Sequence, residues 1–256
     1  MKKDLLRRLL KLSFATLYAL LMVFSGCTNP SGDDGNPNSF SSFEEMLIHL
    51  VGFPGGWLNP FLIRNEAELR KVGTGQDGWT LEAHYRLEAD IILNPNVEWR
   101  PIGDDNSSFR GIFDGNNRTI TGLRINAPDR DYQGMFGRIS YSPPDQYIGD
   151  NKGVVKNLGL VNVFVIGNNY VGGLTGSLIG QMVGNSYQNS TIQNCYVSGS
   201  VTGNNYVGGL VGNNNGGTIQ NSYATSAVTG RSNVGGLTGS GSSGSNSYST
   251  GTVTRL

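Results

Sequence analysis

No Asp or Glu follows Asp150 in this 256-residue chain, and neither histidine, His49 or His84, falls beyond that point. Glycoside hydrolysis usually uses two carboxylates about 5 to 9.5 Å apart, calcium sites need several carboxylate or carbonyl oxygens, and the commonest general base is His. The C-terminal region therefore lacks the side chains of all three. Two cysteines, Cys27 and Cys195, are too few for a disulfide framework or a metal cluster, and no cofactor or metal is expected. The apolar run from Leu12 to Phe24 is shorter than the roughly 20 residues of a spanning helix. Charge is sparse, at 15% of residues and a formal net of zero. The first 26 residues take five of the 19 basic and one of the 19 acidic groups, leaving 14 against 18, which gives no electrostatic case for nucleic acid, and none is expected as a partner.

What the chain does contain is one phrase written three times and begun a fourth. VKNLGLVNVFVIGNNYVGGLTG, IQNCYVSGSVTGNNYVGGLVG and IQNSYATSAVTGRSNVGGLTG share an order of apolar residue, Asn, short strand, Gly turn and VGGLxG, and NSYSTGTVT restarts it. The period is 27 residues from Asn194 to Asn221 and 25 from Asn221 to Asn246, while Asn157 to Asn194 is stretched to 37 by an insert around Gly180 to Ser190. Units of this size cannot bury an apolar face alone, so they must stack. Runs of Ile, Val, Thr and Tyr between Gly, Asn and Ser, without a 3.6-residue stripe, read as strands. Three strands and three corners per period, TIQNSYAT, SAVTG and NVGGLTG in the third copy, describe an all-β, right-handed parallel β-solenoid (β-helix) with rungs about 4.8 Å apart.

Stacking in register predicts a structural ladder of Asn157, Asn194, Asn221 and Asn246, their amides bonded along the axis. Cys195, Ser222 and Ser247 are small enough to point inward, and strand alternation then turns Tyr196, Tyr223 and Tyr248 outward as an aromatic stripe. Such a stripe offers flat faces with hydroxyl handles for a glycan or a protein partner; alternatively, the rings only stabilise neighbouring rungs as cross-strand pairs. The chain stops one strand into the fourth copy, and this open C-terminal rung is expected to pair with another chain or with further sequence.

The VGGLxG and IQN(C/S)Y pattern at Val171, Val207, Val234, Ile192 and Ile219 resembles the GLUG motif, a Gly-Leu-x-Gly repeat of bacterial surface proteins, including adhesin-like chains and some IgA-specific peptidases. The resemblance covers Gly153 to Thr254. It implies a surface location and no particular activity; without an HExxH sequence, the peptidase chemistry does not carry over. FLIRNEAELRKVG, WRPIG and FDGNNRTITGL are similar to the segment that commonly precedes such repeats.

The N-terminus has a basic head, a short apolar core and Phe24-Ser25-Gly26-Cys27, which resembles a bacterial lipobox with Phe in place of the usual Leu. That resemblance implies an export signal over 1–26, lipidation at Cys27 and anchoring in a bacterial membrane, at the outer membrane or cell surface. The other reading leaves Cys27 as a spare thiol. Residues 27–42 are too polar to order themselves and read as a tether. Residues 43–78 form a short helical N-terminal cap with helix confined to before Gly73: one helix opens at Ser41 or Ser42, and a second is capped by Asn65 with Glu68 three positions on. Residues 79–153 are non-repetitive first rungs and 154–256 the repeat rungs. Asp114-Gly115-Asn116-Asn117 reads as a hairpin turn and Asp104-Asp105-Asn106 as a loop.

These observations predict a non-enzymatic envelope lipoprotein whose solenoid is a surface scaffold or adhesion module. The alternative is a carbohydrate-active β-helix using the acidic loops before Asp150. The two separate on whether those carboxylates converge in one groove.

Overall fold

The computed structural model describes residues 54–56, 59–141, 153–183 and 186–256. The export segment, the tether, Cys27 and the helix opening at Ser41 or Ser42 lie outside the described residues. Within them the chain is all-β, with strands in sheets of thirteen, five and three members. Pairing between the successive copies is parallel and in register, so Asn194 and Asn221 stand on adjacent copies. One copy feeds all three sheets. Its Thr191–Gln193 and Tyr196–Thr202 join the largest, Asn205–Gly208 the smallest and Val211–Asn215 the third. The insert is an antiparallel excursion, in which Ser186–Asn189 pairs back on Thr175–Val183.

Like packs on like through the interior. Phe61, Tyr85, Phe113, Val155, Ile192 and Ile219 follow one another in register, all buried. A second file tapers along the chain from Ile120 through Leu160, Val197 and Ala224 to Ser249. Large aromatics therefore concentrate at the N-terminal end. Phe61 stacks on Trp79 at 4.5 Å between centroids, and Phe109 lies against Phe136 at 5.0 Å. Such contacts add about 0.5 to 1.5 kcal/mol each beyond the area they bury. At the other end, Tyr248, Val253 and Leu256 are exposed.

The glycines of VGGLxG owe their identity to close approach. An added Cβ at Gly172, Gly208 or Gly235 would meet the carbonyl oxygen three residues on at 2.2, 2.1 or 2.1 Å. At Gly212 and Gly239 it would meet backbone of a neighbouring copy at 2.6 and 2.5 Å. No side chain fits between strands packed so tightly, which explains why the motif keeps Gly at positions whose φ is ordinary.

The helix predicted after Asn65 is present but short, Glu66–Leu69. The Asn65 side chain accepts from Glu68 N at 2.9 Å, and the Glu68 carboxylate accepts from Arg64 N at 2.7 Å. A 3-10 turn at Gln76–Gly78 lies beyond the expected limit at Gly73. The expected hairpin at Asp114 to Asn117 does not form. Ile112–Thr121 is one strand with a register shift, paired in parallel with Val154–Ile166. Asn116 and Asn117 do take the left-handed backbone (φ 51 and 57) that suggested a hairpin, but here it bends a continuing strand around a corner.

Candidate functional site

Asn157, Asn194, Asn221 and Asn246 each sit at a left-handed corner, with φ between 48 and 53. Asn is among the few residues that tolerate this geometry. Asn246 Nδ2 donates to Asn221 Oδ1 at 3.3 Å, Asn221 to Asn194 at 3.3 Å, and Asn194 to Asn157 at 3.0 Å. Every amide thus points its N–H toward the preceding copy. The residue after the Asn194, Asn221 and Asn246 corners is small: Cys195 and Ser222 are buried, and Ser222 Oγ donates to Gln220 O while accepting from Cys195 N. Burial is the main cause that pushes the Cys195 thiol up to about 12, with a backbone hydrogen bond from Leu158 opposing it.

Sequence reasoning missed a parallel system at NNY. Asn204 Nδ2 donates to Asn168 Oδ1 at 2.6 Å, Asn205 Nδ2 to Asn169 Oδ1 at 2.8 Å, and Asn169 Nδ2 to Asp131 Oδ1 at 3.0 Å. Beside them Tyr132, Tyr170 and Tyr206 stack at 4.7 and 4.8 Å, their planes within 5°. All three take φ near 58. The signal was there to find: Asp131-Tyr132-Gln133-Gly134 follows the order of Asn169-Tyr170-Val171-Gly172, and Phe136-Gly137 answers Thr175-Gly176 with one residue fewer between, which carries the copy pattern into the segment read as non-repetitive.

Tyr196, Tyr223 and Tyr248 lie in register and stack with centroids 5.2 and 5.4 Å apart and planes within 8°. The expected array of flat exposed faces is corrected by this geometry. Rings so close cover one another, leaving edges and hydroxyls outward and one free face, at Tyr248, which is 56% exposed. On the other side Tyr196 lies over Gly159, where a Cβ would meet the ring at 2.4 Å.

Several of the described acidic residues before Asp150 are engaged one by one, whereas Glu98 and Asp129 line one cleft with Arg100 and Arg130. Asp104 Oδ1 accepts from Asn106 N and Ser107 N, closing the expected loop, and Asp105 pairs with Arg138. Glu82 pairs with Arg110, and Glu66 with Arg70. Asp114 accepts from Asn157 Nδ2 and pairs with Lys156. Hydrogen bonds from the Thr119 backbone and hydroxyl hold the Asp90 carboxyl below its usual range. His84 is lowered, first by burial and then by the charge of Lys156. Among the described residues, no three of His, Cys, Asp and Glu are grouped to hold a metal.

Parallel strands stacked copy on copy, with Asn at left-handed corners and Gly at close approaches, define an all-β repeat protein. The GLUG motif matches residues 203–229, one copy of the repeat, so the chain carries this motif. Similar proteins include a Gly-rich membrane protein of Evansella cellulosilytica, 35% identical over 147 residues, and halomucin of Haloquadratum walsbyi, 32% identical over 155 residues. These matches cover 54% and 56% of this chain but only 14% and 2% of the respective relatives. No solved structure matches significantly.

Proposed function

We propose that this chain is a non-enzymatic, exported cell-surface protein, tethered to a bacterial envelope by lipid at Cys27. On this reading its strands wind as a right-handed β-solenoid that serves as an adhesion or scaffold module. The observation that carries the proposal is the in-register stacking of Asn and Tyr: side chains that would otherwise be free for chemistry are held against their own copies along the chain. A rigid stack of this kind presents a repeated surface, which suits adhesion to an extended partner such as a glycan. The names of the relatives, a membrane protein and a halomucin, favour a surface role. Against a carbohydrate-active enzyme stand several of the carboxylates before Asp150, which are committed to separate arginines, a lysine and backbone amides.

Metabolic labelling with a fatty acid tests the anchor: the native sequence should be labelled and Cys27→Ala should not, and equal labelling of both would remove the lipid from the proposal. A glycan array tests adhesion. Here Tyr248→Ser should weaken binding more than Tyr196→Ser, because only Tyr248 offers a free face. Binding unchanged in both would leave the stack as scaffold alone.

A further inference from the structure

Three side-chain files run beside one another through NNY, and all three break at the same copy. Asn168 and Asn204, then Asn169 and Asn205, then Tyr170 and Tyr206 are succeeded by Arg231, Ser232 and Asn233. The backbone does not break with them: Asn205 remains in register with Ser232, Val207 with Val234, and Arg231 N donates to Asn204 O at 2.8 Å. Asn233 even keeps the left-handed corner, with φ 52 against 57 at Tyr206.

The change leaves a notch. Tyr206 is covered on one face by Tyr170 at 4.8 Å, while the following copy sets the short Asn233 where a fourth ring would lie. No side chain among the described residues donates to Asn204 Oδ1 or Asn205 Oδ1, which the missing asparagines would have served. Arg231, Ser232 and Asn233 are all exposed. Arg231 stands in the region after Asp150, which holds no Asp or Glu, so its copy supplies no side-chain carboxylate to neutralise it.

We infer that this notch binds an acidic saccharide, a pyranose bearing a carboxylate or sulfate. The free face of Tyr206 takes the apolar face of the ring, the amide oxygens of Asn204 and Asn205 accept from its hydroxyls, and the Arg231 guanidinium pairs with its anionic group. A neutral sugar uses only the first two contacts, and so binds less tightly. The site is distinct from the Tyr196 to Tyr248 stack and stands whether or not that stack binds anything.

Calorimetric titration of the full chain with a galacturonic acid tetramer, beside a neutral galactose tetramer and a sulfated galactose tetramer, tests the inference. The uronate or the sulfate is expected to bind at least tenfold more tightly than the neutral sugar, and which of the two is preferred identifies the anion. Two variants locate the site. Asn233→Tyr rebuilds the stack over Tyr206 at a φ that tyrosine already occupies in three copies, and Arg231→Gln removes the cation at an exposed position. Each should weaken acidic-sugar binding tenfold or more with thermal unfolding unchanged. Should Asn233→Tyr not fold, Arg231→Gln decides alone. No binding of either acidic tetramer, equal binding of the neutral one, or full binding by folded Arg231→Gln would overturn the inference.

Discussion

Asn157 Nδ2 donates to Asp114 Oδ1 across 3.0 Å, so a file of four asparagine amides, each donating toward the preceding copy, ends on a carboxylate. The second file ends the same way, with Asn169 donating to Asp131. A carboxylate only accepts, which suits the end that receives N–H groups. Asp114 also accepts from Asn116 N at 2.9 Å and pairs with Lys156 at 3.5 Å.

Asp114→Ala strips all three contacts, while Asp114→Asn retains an acceptor oxygen for Asn157. A donor left without a partner costs about 1 to 3 kcal/mol. Chemical denaturation should therefore show the Ala variant less stable than the Asn variant by about 1 kcal/mol or more. Equal midpoints for the two would mean that the acceptor at the head of the file contributes nothing.

Within the file, Asn221 combines two amide bonds with a φ of 48. Replacement by Gly loses the bonds but keeps the corner relaxed; replacement by Ala loses the bonds and strains the corner, by about 1 to 2 kcal/mol. The expected order of stability is native, then Asn221→Gly, then Asn221→Ala. Thermal unfolding of the pair reads it directly, and Ala matching Gly would show that the corner is not left-handed in solution.

The repeat made much of this legible in advance. Asn194 and Asn221 could be placed on adjacent copies because identical residues at a fixed period gain most by stacking on themselves. The Asp114 corner was misread because left-handed Asn serves a hairpin and a parallel corner equally, and only the partner strand distinguishes them. The Tyr132 stack was missed because Gln133, Met135 and Phe136 disguise the glycine motif, which is also one residue shorter here than in the later copies. Ring coverage was legible as one of two readings, the rings pairing across neighbouring rungs or offering their faces to a partner. It depends on a spacing of about 5 Å between parallel strands, which turns a row of tyrosines from exposed faces into exposed edges.

The two cysteines give a thiol count that separates the anchored chain from an unmodified one. Native Cys195 is buried, with its thiol bonded to Gln193 O at 3.2 Å and its pKa pushed up to about 12, so a disulfide reagent near neutral pH should find it inert. In denaturant the exported protein should release one reactive thiol, because lipidation consumes the sulfur of Cys27; two thiols would exclude the anchor. Cys195→Ser should fold with stability within about 1 kcal/mol of native, since the equivalent Ser222 and Ser247 already donate to Gln220 O and Ser245 O at 2.8 Å.

The last prediction concerns acid. His84 starts a strand whose Tyr85 lies in register with buried Phe113, and burial, followed by the charge of Lys156, lowers its pKa below the ordinary 6.5. A lowered histidine binds its proton more weakly folded than unfolded, so the unfolded chain gains protons first as pH falls. Stability should therefore be unaffected by His84 above about pH 7 and decline as pH drops through 6.5 toward the folded value. Asp90 acts in a separate, lower window, because its depressed pKa gives stability that is present above 3.8 and lost only in stronger acid. Urea midpoints compared at about pH 7.5 and about pH 5.5 should fall for the native chain and fall less for His84→Gln. Lys156→Gln should reduce the drop only in part, since desolvation is the larger cause and Lys156 also serves Asp114. A native midpoint that does not change between these pH values would show that His84 is hydrated in solution and not packed at the strand edge.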